Sequence, residues 1–221
     1  MEDRIYLLLK FGSEKNILDL YENGTVYLNT FEYFQRVENN FQGDFDEATI
    51  HLKNYKDPSK YTIELEDLIT GKKFKHTPSA LATKYKNLSP GNLYSMYCVR
   101  KSELIDGQKL RIEPKLKSFG THCLLIFNPK KFKNRMVKAL RQNELEYQAN
   151  IVRYYDRKNY SGPLSLFHKS SEYSYQKEYR ITVHNKKVSP IILKLGKLED
   201  ISKILKTDRI EHYEFSLRKG E

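Results

Sequence analysis

The chain has 221 residues, 39% of them apolar, and a formal net charge of +11 at pH 7. This length predicts one domain, with or without a small appendage. No stretch approaches the ~18 consecutive apolar residues of a membrane-spanning helix, and the N-terminus lacks a signal-peptide pattern, so we expect a cytoplasmic protein with no membrane partner. The excess of Lys and Arg favours a polyanionic partner: a nucleotide, a nucleic acid or an acidic protein.

The first thirty residues predict alternating strands and helices. Residues 5–11 are mostly apolar and predict a buried strand. Ser13 is suited to cap the following helix because its hydroxyl can accept a hydrogen bond from a free backbone N–H. Gly24 is expected to end that helix in the left-handed conformation. Residues 25–28 predict a short strand, after which Asn29 is expected to cap a second short helix.

The middle of the chain is more polar. Strands are predicted at 48–55 and 61–65 and are expected to pair with each other. Residues 55–92 are interpreted as a flap or an insertion. A strand follows at 93–99, and 101–117 is interpreted as a loop with a glycine and a proline.

The second half contains most of the remaining regular structure. Its predicted elements are strands at 122–127, 149–155, 178–184, 191–195 and 210–215, and helices at 129–141 and 201–205. The strand at 178–184 is expected to start a residue or two earlier. The whole chain, 1–221, therefore predicts a single α+β domain with a mixed, mostly antiparallel sheet and a few short helices.

The composition also narrows the chemistry. The two cysteines, Cys98 and Cys123, each lie in a predicted buried strand and do not have the spacing of metal ligands, which indicates a reduced protein. The histidines and cysteines form no zinc pattern, and the glycines form no phosphate-binding loop. We expect no metal cofactor.

The stretch from Phe167 to Val183 reads FHKSSEYSYQKEYRITV and is the most informative of the chain. It is interpreted as ending in a strand on which Gln176, Glu178 and Arg180 point to one face, because successive strand residues alternate. An amide, a carboxylate and a guanidinium in line could orient a polar ligand. The alternative is a solvated strand face with a Glu178–Arg180 ion pair, where Glu178→Gln would cost only ~0–1 kcal/mol.

Two charged clusters lie elsewhere. Residues 43–47 read GDFDE and could hold a metal ion, contact ribose hydroxyls, or form a solvated turn; we assign Asp44 to cofactor binding. Residues 128–135 read NPKKFKNR and form the densest basic cluster. The helix that contains this cluster is the expected contact for a nucleic acid.

Four segments carry a resemblance to a known superfamily: KFGSEKNILDLYENGTVYLNTFEYFQ, GDFDE, LYSMYCVR and FHKSSEYSYQKEYRI. They resemble a family of bacterial and phage-related proteins that ends in Glu/Gln-x-Glu-x-Arg after a Phe-x-Lys segment. That family is similar in layout to the ADP-ribosyltransferase superfamily. The resemblance covers most of the chain and implies an ADP-ribosyltransferase-like fold.

The resemblance also implies a three-part site for NAD. Lys10 takes the place of the Arg or His on the first strand. Ser95 and Tyr97 take the place of the Ser-Thr-Ser or Tyr strand, and Gln176 and Glu178 match the Gln/Glu-x-Glu motif. Lys10 and the incomplete Ser-Thr-Ser strand are departures from the superfamily pattern.

The chemistry of NAD cleavage suits these residue types. A carboxylate at Glu178 would stabilise the oxocarbenium character that develops on the ribose, and Gln176 would orient the acceptor group. Lys10 or Arg180 would meet the pyrophosphate, the latter bidentately, and Tyr97 or its neighbour Tyr94 would stack on nicotinamide. Lys10 and Glu178 are therefore expected to open on one cleft.

The resemblance thus implies an enzyme that transfers ADP-ribose from NAD to a protein or nucleic-acid acceptor, as a toxin or phage-defence effector. One alternative is a basic nucleic-acid-binding protein or nuclease of a phage-defence system, which the charge and the many aromatic residues favour. Another is a catalytically inactive member of the fold that binds a partner protein.

Overall fold

The computed structural model of the chain describes residues 4–36, 49–86, 90–104 and 109–216. Its α-helices are α1 (Glu14–Asn23), α2 (Phe31–Arg36) and α3 (Pro129–Gln142). Its strands are β1 (Ile5–Gly12), β2 (Thr25–Thr30), β3 (Thr49–Asn54), β4 (Ile63–Glu66), β5 (Lys73–His76), β6 (Ala82–Lys86), β7 (Gly91–Arg100), β8 (Lys109–Arg111), β9 (His122–Ile126), β10 (Tyr147–Ile151), β11 (Arg153–Tyr155), β12 (Gly162–Pro163), β13 (His168–Ser170), β14 (Glu178–His184), β15 (Ile191–Lys194), β16 (Ser202–Lys206) and β17 (Glu214–Ser216). Short 3₁₀ turns lie at Pro58–Lys60, Lys101–Glu103, Pro114–Phe119, Ser171–Gln176 and Thr207–His212.

The main sheet has the order β10–β14–β7–β1–β9–β16, and β2 joins it by pairing with β7 and β15. Its strand pairs are antiparallel. The fold is therefore a single α+β domain with mostly antiparallel sheets and a few short helices, as the sequence predicted.

The two edges of the central strand β7 are paired in different ways. Along one side it pairs with the whole length of β14, from Glu178↔Tyr97 to His184↔Gly91. Along the other side, β1 pairs with it only as far as Leu9↔Tyr97, and β2 takes over at Asn29↔Leu93. Residues 94–96 of β7 therefore lie in a gap where β1 and β2 part from each other.

Strand alternation divides the core between the two faces of the sheet. Leu8, Met96 and Cys98 belong to a cluster that also contains the buried residues of α1 and α3. Leu9 and Tyr97 belong to a second cluster on the opposite face, completed by apolar residues of the 3₁₀ segments. Both cysteines are buried and free, in the strands where the sequence predicted them.

The predicted ends of the first and third helices are confirmed. The Ser13 hydroxyl accepts a hydrogen bond from the backbone N–H of Asn16 at 3.4 Å, and Gly24 has φ 62°. A side chain there would also collide with the backbone of Gly196. Asn128 accepts from the Lys131 N–H at 3.0 Å and begins α3.

Several predicted elements were wrong in type or pairing. The predicted helix at 201–205 is replaced by strand β16, which begins at Ser202; a short apolar run does not distinguish a helix from a strand by periodicity, and pairing with β9 decides the outcome. The first half of the predicted strand 210–215 lies in a 3₁₀ turn, and only β17 is extended. The segment 149–155 is divided at Val152 into β10 and β11, and 101–117 contains β8 and two 3₁₀ turns.

Pairing and capping also differ in the first half. Strand β3 pairs with β6, while β4 pairs with β5, so the predicted pairing of 48–55 with 61–65 does not occur. The helix α2 is capped by Thr30 rather than Asn29, because the Tyr33 N–H donates to the Thr30 hydroxyl at 3.2 Å. Of the helices in the described ranges, none has the length and apolar character needed to cross a bilayer.

Candidate functional site

A cavity of about 410 Å³ lies at the gap between β1 and β2. Its wall is formed by residues of β1, β2, β7 and β14, together with Lys169 and the Ser171–Gln176 turn. The predicted site residues that line it are Lys10, Ser95, Tyr97, Gln176, Glu178 and Arg180. Asp44, the remaining predicted site residue, lies outside the described residues. The predicted site residues come from distant segments of the sequence, and those in the described ranges all line this one cavity.

Glu178 is a buried carboxylate held by two cations. It is 5% exposed. Its Oε1 accepts from the Lys169 ammonium at 2.8 Å, and its Oε2 accepts from Arg180 Nε at 2.8 Å. Burial alone would raise the pKa of Glu178, but Arg180 and Lys169 together hold that pKa well below its usual range. The carboxylate is therefore ionised near neutral pH.

Gln176 and Glu178 are connected by hydrogen bonds to Lys169 and not by a shared strand face. Gln176 lies in the 3₁₀ turn, and Lys177 after it has the left-handed φ of 40°, so the prediction that Gln176 and Glu178 share one strand, and that β14 starts earlier, was wrong. The Lys169 ammonium donates to Gln176 Oε1 at 2.7 Å as well as to Glu178. We refer to Lys169, Gln176, Glu178 and Arg180 as the Glu178 cluster.

Lys169 is the functional residue that sequence reasoning missed. Its side chain is 2% exposed, and its ammonium lies 4.9 Å from the centroid of the Tyr173 ring. The signal was present in the Phe-x-Lys segment, Phe167 to Lys169, that contributed to the resemblance. No role was assigned to that lysine, because nothing local in the sequence places it against Glu178.

Arg180 is fixed by more than Glu178. It is 1% exposed, and its Nη1 donates to the carbonyl oxygen of Leu166 at 2.7 Å. It pairs across the strands with Ser95. The Glu178–Arg180 ion pair that the alternative interpretation expected therefore exists, but it is buried rather than solvated.

Lys10 reaches the cavity through the gap in the sheet. By alternation it leaves β1 on the face of Leu8, opposite to Glu178, yet its ammonium donates to the Ser95 carbonyl at 2.8 Å and lines the same cavity as Glu178. It lies 4.3 Å from the centroid of the Tyr94 ring. Burial lowers the pKa of Lys10 to about 8, although the Glu178 charge acts in the opposite direction.

Aromatic and polar groups complete the wall. Tyr27 and Tyr33 lie at the cavity with about half of their surfaces exposed, and Tyr97 and Phe119 line it further in. The hydroxyl of Tyr94 is buried and has no hydrogen-bond partner among the described residues. Burial also raises the pKa of Tyr94, so its hydroxyl stays protonated.

The charge of the cavity is unbalanced. Its described lining contains three cations, Lys10, Lys169 and Arg180, and one carboxylate, Glu178. Lys10 forms no ion pair with a described carboxylate, whereas the other two cations share Glu178. Within the described ranges, no group of three or more His, Cys, Asp or Glu side chains is placed to hold a metal ion. The lining therefore suits an anionic organic ligand.

In comparisons with known proteins, no family model, no curated protein and no solved structure matches this chain. The chemistry of the cavity is therefore the basis of the functional proposal.

Proposed function

We propose that the chain binds NAD as a substrate in this cavity and transfers its ADP-ribose moiety to an acceptor group. The observation that carries the proposal is a buried, ionised carboxylate, Glu178, in a cavity whose other charged lining residues are cations. NAD offers the matching groups: a doubly negative pyrophosphate, ribose hydroxyls, and a positively charged nicotinamide ring that leaves as neutral nicotinamide.

The cation excess supports binding of the pyrophosphate. Lys10 is the cation with no carboxylate partner among the described residues. Its partly buried ammonium donates to the Ser95 carbonyl, and a charge removed from water without a counter-charge is costly. A phosphate oxygen beside Lys10 would supply that partner. The exposed rings of Tyr27 and Tyr33 would provide surfaces on which the planar base or nicotinamide can stack.

Glu178 would bind the ribose next to nicotinamide. A carboxylate oxygen can accept more than one hydrogen bond, so Oε2, which accepts from Arg180 Nε, keeps capacity for a ribose hydroxyl. In the reaction, the bond between ribose C1′ and the nicotinamide nitrogen breaks, and its electron pair leaves with nicotinamide. The acceptor lone pair forms the new bond to C1′, and the acceptor proton is released to water.

Glu178 would stabilise the positive charge that develops on the ribose during this step. Lys169 and Arg180 keep the carboxylate ionised, but they also offset part of its field. Gln176, whose carbonyl is held by Lys169, would orient the acceptor. The acceptor is a protein or a nucleic acid, and a toxin or phage-defence effector is the setting that such an activity would serve.

The test uses NAD labelled on its adenylate, incubated with the purified protein and a cell extract. We expect release of nicotinamide and transfer of label to protein or to nucleic acid. The matched control is Lys169→Met/Glu178→Gln, which removes the carboxylate charge together with one cation and should release no nicotinamide. If the wild-type protein neither binds NAD in calorimetry nor releases nicotinamide with extract present, the proposal is wrong.

A further inference from the structure

A second concavity, of about 430 Å³, lies between α3 and the segment that starts at the end of β15. None of its lining residues also lines the cavity that contains Glu178. The polar side chains that line it are Arg135, Lys138, Gln142, Lys194 and Lys197, and we call this set the basic groove. Four of the five are cationic, and no acidic residue is among the described lining residues.

The cations of α3 differ in how far nearby groups compensate their charge. At the start of the helix, Lys131 and Arg135 both pair with Asp200, and the Lys133 ammonium lies 4.5 Å from the ring centroid of Tyr179. The basic cluster at 128–135, which the sequence indicated as the nucleic-acid contact, is therefore partly neutralised.

The other three cations of the groove are less engaged. Lys138 forms no ion pair with any described residue, and the Lys194 ammonium donates to the neutral hydroxyl of Thr25. Lys197 approaches Glu199 only at 3.8 Å, with both side chains exposed, which is a weak interaction. These three cations are therefore the ones that an anion in the groove would contact.

The chemistry of the lining favours a nucleic acid over an acidic protein. Protein interfaces have an apolar core, whereas the apolar side chains here are only Ala139 and Leu195. Lys, Arg and amide side chains are the usual contacts to phosphate oxygens. No aromatic residue is among the described lining residues on which a base could stack.

We propose that the basic groove binds the phosphate backbone of a nucleic acid without sequence preference. Nucleic-acid binding at this groove would be a function additional to the proposed transferase activity. The two can be tested separately, because the binding assay contains no NAD.

The salt dependence sets the expected size of the effect. Arg135 is already paired with Asp200, so three groove cations remain for phosphate. If each neutralises one phosphate, log Kd against log salt has a slope of about 2.7 for duplex and about 2.1 for single-stranded nucleic acid. Removing two of these three cations should lower that slope by about two thirds.

The experiment measures the fluorescence anisotropy of a labelled mixed-sequence oligonucleotide, duplex and single-stranded, with the full chain over a range of salt. The test variant is Lys138→Glu/Lys194→Glu. The matched control is Lys72→Glu/Lys75→Glu, an equal change of charge at exposed residues of the segment that contains β5. We expect the test variant to lose at least about tenfold in affinity and about two thirds of the salt slope, with the control close to wild type.

Three outcomes would overturn the proposal. The first is an absence of binding to either oligonucleotide at low salt. The second is an equal loss in both variants, which would assign the binding to net charge alone. The third is a polyglutamate that competes with the oligonucleotide at equal charge concentration, which would make the groove a general polyanion surface. Melting temperatures of all variants are measured to establish that each is folded.

Discussion

Substitution of Glu178 by glutamine tests the Glu178 cluster most directly. The change keeps the size of the side chain and removes its charge, and so leaves the buried cations Lys169 and Arg180 facing a neutral amide. Loss of one partner from a buried ion pair costs about 3–5 kcal/mol. For a chain of this length, each kcal/mol lowers the melting temperature by about 2–4 °C. We therefore expect Glu178→Gln to melt roughly 6–20 °C below wild type, and not within the ~0–1 kcal/mol of an exposed pair.

A double-mutant cycle with Lys169 separates the cluster from a generic packing loss. Lys169→Met alone removes one cation and leaves Glu178 with Arg180. In Lys169→Met/Glu178→Gln both side chains are neutral, so no lysine ammonium is left buried without its carboxylate. Arg180 keeps its bond to the Leu166 carbonyl. We expect the double variant to be more stable than the sum of the single changes by about 1–3 kcal/mol, measured by urea unfolding. Additivity within about 0.5 kcal/mol, or a Glu178→Gln variant as stable as wild type, would show that Glu178 and Lys169 do not form a coupled buried ion pair.

The same variants have a defined pH dependence. The pKa of Glu178 is depressed in the folded state, so its contribution to stability is fully present above the ordinary glutamate pKa of about 4.3. That contribution is lost as pH falls through the lower, folded-state pKa. The stability difference between wild type and Glu178→Gln should therefore be constant near neutrality and shrink below about pH 4. A difference that stays constant into the acid range would assign the loss to packing.

The remaining predictions concern Lys10, the hairpin and the cysteines. Binding of pyrophosphate, followed by calorimetry, should weaken as pH rises through about 8, where Lys10 loses its proton; Lys10→Met should remove this dependence, and an unchanged profile would exclude Lys10 from the contact. Replacement of 62–77 by a short Gly/Ser linker should change stability by less than about 1 kcal/mol, because every residue of β4 and β5 is exposed; a larger loss in thermal unfolding would mean that the hairpin packs on the domain. Burial raises the pKa of Cys98 and Cys123 to about 12, so a thiol-specific reagent near neutral pH should react with them only after unfolding, and fast reaction of the native protein would contradict their burial.

Local signals in the sequence were sufficient where local physics decides the structure. Ser13 and Gly24 bound α1 because a hydroxyl cap and a left-handed glycine act within one helical turn. Asn128 acts in the same way at the start of α3. The strand 93–99 was recognisable because nearly all of its residues are buried on both faces, which produces an apolar run interrupted only by Ser95.

Tertiary contacts decided the rest and left no readable local pattern. Residues 202–205 form a strand because β9 offers a pairing edge. The left-handed Lys177 is a non-glycine residue at φ 40°, so nothing in its identity indicates that strand alternation fails before Glu178. Lys169 is separated from Glu178 by a 3₁₀ turn, and only the folded turn brings its ammonium to both members of the Gln-x-Glu pair.

The position and the charge of the cavity both follow from the register of one strand. Because β1 leaves β7 after Leu9 and β2 meets it at Asn29, a stretch of the β7 edge lacks a strand partner on that side. The Ser95 carbonyl in this stretch is satisfied by the Lys10 ammonium, which places a cation inside the sheet without a carboxylate partner among the described residues. An anionic ligand is the group that would restore the balance. This arrangement favours any anion and not only one that carries nicotinamide, so binding of pyrophosphate and cleavage of NAD can succeed or fail separately.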